Sequence, residues 1–359
     1  MASLVTPSIW AQRRVLVTGH TGFKGSWLSL WLAQLGASVC GIALDPLEEP
    51  NLFDVARVRD VLDMDLRVDI RDPTALQRAV AVIDPTVVFH LAAQPLVRES
   101  YRTPVETFDT NVMGVANILN AIRHMPSVEA AVIVTTDKVY RNVEDGRAYK
   151  EDEPLGGHDP YSASKAAAEI VADSFRSSFF TDSDACRIAS ARAGNVIGGG
   201  DWSVDRLIPD CIRSFTAHET VTLRFPSAVR PWQHVLDPLS GYLVLAEALL
   251  GPNGSAAARA WNFGPDPADV ATVGDVAHRV ARLWAEGAQV TQGDDHDHPH
   301  EAGLLSLDSS LAHRDLNWRR TWSLDRALSE TVAWYRAWHE GHQMADFTAR
   351  QIATHAVGS

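Results

Sequence analysis

Along the first half of the chain, short apolar runs alternate with stretches whose apolar residues recur at helical spacing. Val15 to Thr18 is a β-branched apolar run that breaks at Gly19, and Trp27, Leu28, Leu30, Trp31, Leu32 and Leu35 then follow at intervals of a helix. Val39 to Leu44 is the next apolar run, closed by Asp45, and Val61 to Asp69 is a third strand candidate. Pro73 opens a helix through Val82, Thr86 to Leu91 reads as a buried strand, and Pro104 to Arg123 as a helix leading into the strand Ala130 to Thr135. Six such units predict a parallel sheet with helices on both faces, joined by right-handed crossovers. After about residue 190 the pattern changes: Gly198 to Gly200 and Pro209, Pro226, Pro231 and Pro238 interrupt shorter, mixed elements. The expected division is residues 1–190 as one lobe and 191–359 as a smaller mixed α/β lobe, with a return to the first near 232–263. Ser323 is a candidate N-cap for a last helix carrying Leu324, Leu328, Val332 and Tyr335 on one face.

The break at Gly19 has its own pattern. Gly19, Gly22 and Gly25 fall where a strand becomes a helix N-terminus, spaced GxxGxxG with Thr21, Phe23 and Lys24 between them. Glycine there permits a tight turn and lets a pyrophosphate approach free N–H groups at the positive end of the helix. Asp45 lies about twenty residues further on, where a dinucleotide ribose needs a hydroxyl acceptor, and a carboxylate there favours NAD over a 2′-phosphorylated cofactor. In such sheets ligands collect at the carboxyl ends of the strands. That adds Asp69, Ile70, Leu91, Ala92, Ala93, Gln94 and Thr135 to the cofactor candidates. The predicted class is therefore a doubly wound, Rossmann-type α/β fold.

Composition narrows the partners. A formal net charge of −13 argues against nucleic acid, while a few local arginines still suffice for an anionic substrate. Cys40, Cys186 and Cys211 form no CxxC pair and read as free thiols in a reducing cytoplasm. Neither a signal peptide nor a membrane span is recognisable. The stretch Asp294-Asp-His-Asp-His-Pro-His-Glu301 suggests a metal cluster, yet it lacks zinc-finger spacing, and no metal is expected.

Catalytic chemistry is suggested by Tyr161-Ser-Ala-Ser-Lys165. Pro160 suits a helix start, and Tyr and Lys four apart share a helical face. An ammonium beside the phenol is expected to lower its pKa, so that the phenolate takes a proton from a sugar hydroxyl during hydride transfer. Thr135-Thr136-Asp137-Lys138 places a hydroxyl, a carboxyl and an amine at a strand end. An added acid and base would permit elimination of water beyond simple oxidation.

The chain resembles the extended short-chain dehydrogenase/reductase family over nearly its whole length. The residues that carry the match are Thr18-Gly-His-Thr-Gly-Phe-Lys-Gly25, His90-Leu-Ala-Ala-Gln-Pro-Leu-Val-Arg98, Thr136-Asp-Lys138 and Gly156-Gly-His-Asp-Pro-Tyr-Ser-Ala-Ser-Lys165. Arg192-Ala-Gly-Asn-Val-Ile-Gly-Gly-Gly-Asp-Trp202 and Arg230-Pro-Trp-Gln-His-Val235 extend it. Within that family the resemblance is to the nucleotide-sugar 4,6-dehydratases, with CDP-glucose the favoured substrate and NAD the cofactor. It implies that Tyr161, helped by Lys165 and Thr136, deprotonates the C4 hydroxyl, and that Asp137 protonates the departing C6 hydroxyl. Relatives acting on dTDP-glucose carry Glu where this chain has Lys138, which makes Lys138 the candidate C5 base only if its pKa is pulled down. Asn195, Arg206 and Arg230, with Arg98, are implied contacts for the nucleotide diphosphate and sugar. The helices at 104–123 and 160–175 are implied to pair across a two-fold axis, in a homodimer or a dimer of dimers. Three alternatives use the same scaffold: a 4-epimerase, which needs Tyr161 and Lys165 but no acid for water loss; another sugar 4,6-dehydratase; and a catalytically silent NAD sensor.

Overall fold

The computed structural model describes residues 5–47, 49–143, 145–181, 186–266, 269–293 and 305–358. The Asp294–Glu301 stretch lies outside the described residues. Seven strands make the central sheet: β1 (Arg14–Thr18), β2 (Ser38–Ala43), β3 (Met64–Arg67), β4 (Val87–His90), β5 (Ala130–Val134), β6 (Arg187–Ala193) and β7 (Ala260–Phe263). Their order is β7-β6-β5-β4-β1-β2-β3, and every pairing is parallel. The order reverses direction between β1 and β4, the position where doubly wound sheets open a crevice.

The strands read as continuous apolar runs because both faces are covered. On one face Val15, Val17, Val87, Phe89, Ala130 and Val132 join the larger core, with Trp27, Leu28 and Trp31 of α1 (Phe23–Gln34). On the other, Leu16, Val88, Ala131 and Ile133 pack on α2 (Pro73–Ile83), α3 (Gly114–Ile122) and α4 (Pro160–Phe179). The period-2 alternation of strand side chains thus feeds two cores. Local signals start the helices. Asp72 accepts from Thr74 N and Ala75 N at 3.0 Å, and Asp159 accepts from Ser162 N at 2.9 Å, each ahead of a proline at the first helical position. The single helix expected over 104–123 instead contains a wide π turn, Asp109–Met113, between Pro104–Phe108 and α3. That turn places Asn111 so that its Oδ1 accepts from Gln94 N at 2.8 Å and its Nδ2 donates to Ser164 Oγ at 2.8 Å.

A boundary at residue 190 falls inside β6, which continues to Ala193 because its backbone pairs with β5 on one side and β7 on the other. The chain then leaves the sheet for α5 (Leu207–Thr216) and returns as α6 (Leu236–Leu250) and β7. We propose that the sheet lobe comprises the chain through Ala193 together with 236–263. The rest of the chain holds α7 (Val273–Trp284), α8 (Leu324–His339), α9 (Met344–Ala356) and short two-stranded ladders, such as Val229–Pro231 against Val270–Thr272. Ser323 caps α8 by accepting from Arg326 N at 3.4 Å.

Helix α6 is almost wholly buried and gathers distant parts of the chain. Its Glu247 accepts from Thr6 N at 2.8 Å and Trp10 Nε1 at 2.7 Å. Its Asp237 accepts from Thr321 N at 2.7 Å and is paired with His355 Nε2 of α9 at 2.9 Å. Trp318, Trp322 and Trp334 are fully buried. Trp334 packs edge-on against Trp202 and donates to Thr348 Oγ1 at 2.9 Å. No helix among the described residues is long and apolar enough to cross a membrane. Replacing Trp334 with Ala empties an indole-sized site between α8 and α9, and should lower unfolding free energy by about 3–5 kcal/mol in a urea titration. Trp338→Ala, at a half-buried position on the same helix, should cost clearly less.

Candidate active site

The strand-to-helix turn after β1 is built on backbone contact. Gly19 takes φ +76° and donates to Ile42 O at 2.8 Å; a Cβ there would lie 2.7 Å from Ala92 N. A Cβ on Gly25 would come within 2.1 Å of Gly19 O, so α1 starts directly on the turn. Gly22 is the N-cap of α1 and supplies no side-chain acceptor, so the first N–H groups face the cavity with the helix's positive end behind them. Thr21 Oγ1 donates to Leu44 O at 2.9 Å, fastening the turn to the end of β2. These features fit a dinucleotide pyrophosphate. Asp45 stands exposed at the cavity wall, 2.7 Å from Arg67 Nε.

One cavity of ≈ 1330 Å³ runs along the carboxyl ends of the strands. All three glycines of the turn line it, with Thr21, Phe23, Lys24, Asp45, Asp69, Ile70, the Leu91–Gln94 segment and Thr135. So do Thr136, Lys138, Tyr161 and Lys165, together with Arg98, Asn195, Arg206 and Arg230. Asp137 alone among the residues singled out is absent from the lining. It is buried beneath the floor, where its Oδ1 accepts from Thr136 Oγ1 at 2.8 Å and its charge acts on Tyr161 and Lys24.

Burial dominates the electrostatics here. Desolvation pushes the Tyr161 phenol up to about 12; a hydrogen bond with Thr136 pulls it back, and the Asp137 charge adds to the rise. The expected lowering of this phenol by Lys165 is therefore corrected. Removal from water outweighs the attraction, and Lys165 is not among the principal groups acting on it. The Lys165 amine is itself pushed down to about 8 by burial, opposed by the negative charge of Glu169, and donates to Val134 O at 3.3 Å. Lys24 is driven down to about 8 by burial and by Arg206, with Asp137 opposing. Lys138 lines the cavity half-buried, its backbone N–H donating to Thr136 Oγ1 at 3.4 Å.

The arginines already have protein partners. Arg98 Nη1 is 3.1 Å from Asp205 and Arg206 Nη1 is 3.0 Å from Asp201, while Arg230 Nη1 donates to Val229 O at 3.0 Å. A guanidinium carries several N–H donors in a fork, enough to hold such a partner and a phosphate oxygen together. Two residues that sequence reasoning did not single out complete the site from behind, Glu169 and Arg192, a buried ion pair at 2.8 Å. Glu169 follows Lys165 by the same four-residue step that separates Lys165 from Tyr161, and that spacing is the signal the sequence offers for it. Among the described residues no group of three or more His, Cys, Asp or Glu could hold a metal ion.

A cavity at the switch point of a parallel sheet, floored by a Tyr–Lys pair and a threonine with an aspartate buried beneath, defines a dinucleotide-binding oxidoreductase-type site. The family described as GDP-mannose 4,6 dehydratase matches residues 16–331 of this chain. The CDP-glucose 4,6-dehydratase of Salmonella typhimurium is 46% identical over 354 residues, covering 98% of each chain. A solved structure of the DesIV double mutant, a dTDP-glucose 4,6-dehydratase from Streptomyces venezuelae with NAD and DAU bound, gives a TM-score of 0.75 at 26% identity, over 90% of this chain and 97% of that one. The UDP-glucose 4-epimerase of Thermus thermophilus, in complex with NAD, gives 0.74 at 26% identity, over 90% and 99%. The chain belongs to the GDP-mannose 4,6-dehydratase family of NAD-dependent epimerases and dehydratases.

Because a methyl on Gly25 would meet a backbone oxygen, Gly25→Ala should displace the start of α1 and weaken dinucleotide binding at least tenfold. Isothermal titration checks this, with circular dichroism confirming that the sheet persists.

Proposed function

We propose that this protein is an NAD-dependent hydro-lyase that converts CDP-glucose to CDP-4-keto-6-deoxyglucose. The observation that carries the reading is the grouping of Thr136, Tyr161 and Lys165 at the cavity floor with Asp137 directly beneath. Near-full-length identity of 46% to a CDP-glucose 4,6-dehydratase supports the choice of nucleotide. NAD, held by the glycine turn and the Leu91–Gln94 and Thr135 strand ends, would bring a positive ring that favours phenolate and would accept the C4 hydride and return it to C6.

The chain's own residues do the proton work. Tyr161, hydrogen-bonded to Thr136, takes the proton of the C4 hydroxyl as the C4–H bond is broken. The resulting 4-ketone acidifies the neighbouring C5–H. Lys138, in the cavity lining, is the base assigned to that proton, and Asp137 supplies a proton to the C6 oxygen by way of Thr136 Oγ1, its hydrogen-bond partner at 2.8 Å in the lining, as the C6–O bond breaks and water leaves. Lys138 returns its proton to C5, and with the hydride given back at C6 the product is complete. Asn195, Arg206, Arg230 and Arg98, which line the same cavity, hold the nucleotide diphosphate. A 4-epimerase needs no acid such as Asp137, and a silent sensor needs no Tyr–Lys pair.

The three cysteines are free and buried, which fits a reducing cytoplasm. Val105, Phe108 and Met113 ahead of α3, with Ile170 and Phe179 of α4, expose apolar surface. That surface supports a homodimer packed helix to helix, open to a second pairing.

Incubation with CDP-glucose should yield a product with the alkaline absorbance of a 4-keto sugar. CDP-galactose as product would instead mark an epimerase, and inertness toward CDP-, dTDP-, UDP- and GDP-hexoses would remove the enzymatic reading. Asp137→Asn should still oxidise C4, seen as nicotinamide absorbance in a single turnover, but lose dehydration by about 10²–10⁴-fold. Full dehydration by that variant would refute the acid role.

A further inference from the structure

The mechanism leaves one buried charged group unused. Glu169 lies on α4, one turn beyond Lys165 and two beyond Tyr161, on the face turned toward the sheet. Its Oε1 accepts from Thr135 Oγ1 at 2.5 Å. Its Oε2 accepts from Ser190 Oγ at 2.6 Å and from Arg192 Nη2 at 2.8 Å. The donors come from the end of β5 and from β6, so two neighbouring strands fix one carboxylate. Arg192 is fixed in turn: its Nη1 donates to Tyr140 OH at 2.8 Å and to Glu151 O at 3.0 Å, and its guanidinium lies 5.0 Å from the Tyr140 ring centroid. The Tyr140 hydroxyl donates to Asn262 Oδ1 at 2.7 Å. Burial works against the Glu169 charge, but the Arg192 charge and the three donors outweigh it and hold the carboxyl below its ordinary range.

Lys165 has much less around it. Its amine is buried against a neutral carbonyl, Val134 O, and burial alone drives it toward discharge. The charged and titratable groups that face this region come from every neighbouring element. From β4 comes His90, pushed down to about 3 by burial and therefore neutral. From the first turn of α1 comes Lys24, of the same sign as Lys165. Asp137 and Arg206 act on the Tyr161 side. Glu169 is the negative charge that acts on the amine itself.

We propose that Glu169 is a positioning residue for the reaction. Locked by Arg192, Ser190 and Thr135, it supplies the fixed negative field that keeps the Lys165 amine an ammonium in the cavity it lines with Tyr161, and its bond to Thr135 couples that field to the strand end carrying Thr136 and Asp137. The inference rests on the proposed reading in which Lys165, four residues beyond Tyr161 on one helical face, serves C4 oxidation as an ammonium. An ammonium acts below its own pKa and is lost as pH rises through it. Glu169 raises that pKa, so its removal brings the loss to lower pH.

Two readouts test this on the full chain with NAD bound. The first is pH-dependent acetylation of Lys165 by trace acetic anhydride, followed by mass spectrometry, which titrates the amine without turnover. The second is the alkaline limb of C4 oxidation in a single turnover with CDP-glucose. In Glu169→Gln both midpoints should move to lower pH by about one unit, a tenfold change in the charged fraction at a given alkaline pH. Glu169→Asp should recover most of the shift. If Glu169→Gln does not fold because Arg192 is left unpaired, the double variant Glu169→Gln/Arg192→Met removes both charges and should show the same shift. Midpoints that stay in place while only the amplitude of C4 oxidation falls would overturn the proposal and leave Glu169 a purely structural residue. Absence of C4 oxidation in the parent protein would sink the substrate reading, while the acetylation titration would still decide the role of Glu169.

Discussion

The contact between the Gly19 carbonyl and the α carbon of Gly25 sets the geometry on which the rest of the site depends. With 2.1 Å left for a Cβ, only glycine lets α1 begin directly on the turn. That close start brings the positive helix end to the edge of β1, next to β4, where the sheet changes direction. The same turn approaches Ala92 from above and is tied to β2 through Thr21. One tight backbone contact therefore determines where a pyrophosphate can lie relative to three strand ends.

Around the phenol, desolvation pushes every group toward neutrality: Tyr161 upward, Lys165, Lys24 and His90 downward. Burial by itself would thus leave a neutral amine and a neutral phenol in one cavity, a pair with little capacity for proton transfer. Fixed charges of opposite sign restore that capacity. Glu169 serves the amine, Arg192 serves Glu169, and Thr136 gives the phenol a hydrogen bond. The arrangement is layered, with each charge answered by one further from the cavity.

Much of this is legible in the order of residues. The glycine spacing, the apolar runs and the Tyr161–Lys165 step are local patterns, and local patterns survive folding because they act through backbone conformation and helical spacing. Ser323 and Pro160 mark helix starts for the same reason. What cannot be read depends on partners far apart in sequence. Glu169 meets Arg192 across 23 positions, and Arg192 meets Tyr140 across 52, so neither residue type nor spacing announces the pair. The direction of the Tyr161 shift escapes a reading of spacing because charge proximity follows from an i,i+4 step, whereas burial depends on the whole cavity. The end of β6 lies beyond the expected boundary because β5 pairs with it to Ala191 and β7 to Ala193, partners that come from distant parts of the chain.

The helix that returns to the sheet has a consequence for how the molecule assembles. Glu247 is bound by residues 241 and 237 positions upstream, and Asp237 by one 118 positions downstream. A helix whose polar ends are satisfied only from such separations cannot reach its buried state early, because those polar groups would stay unmatched until both distant segments arrive. Closure of large chain loops, not helix formation, should set the pace of refolding, which places this protein among slow, highly non-local folders despite its helical content.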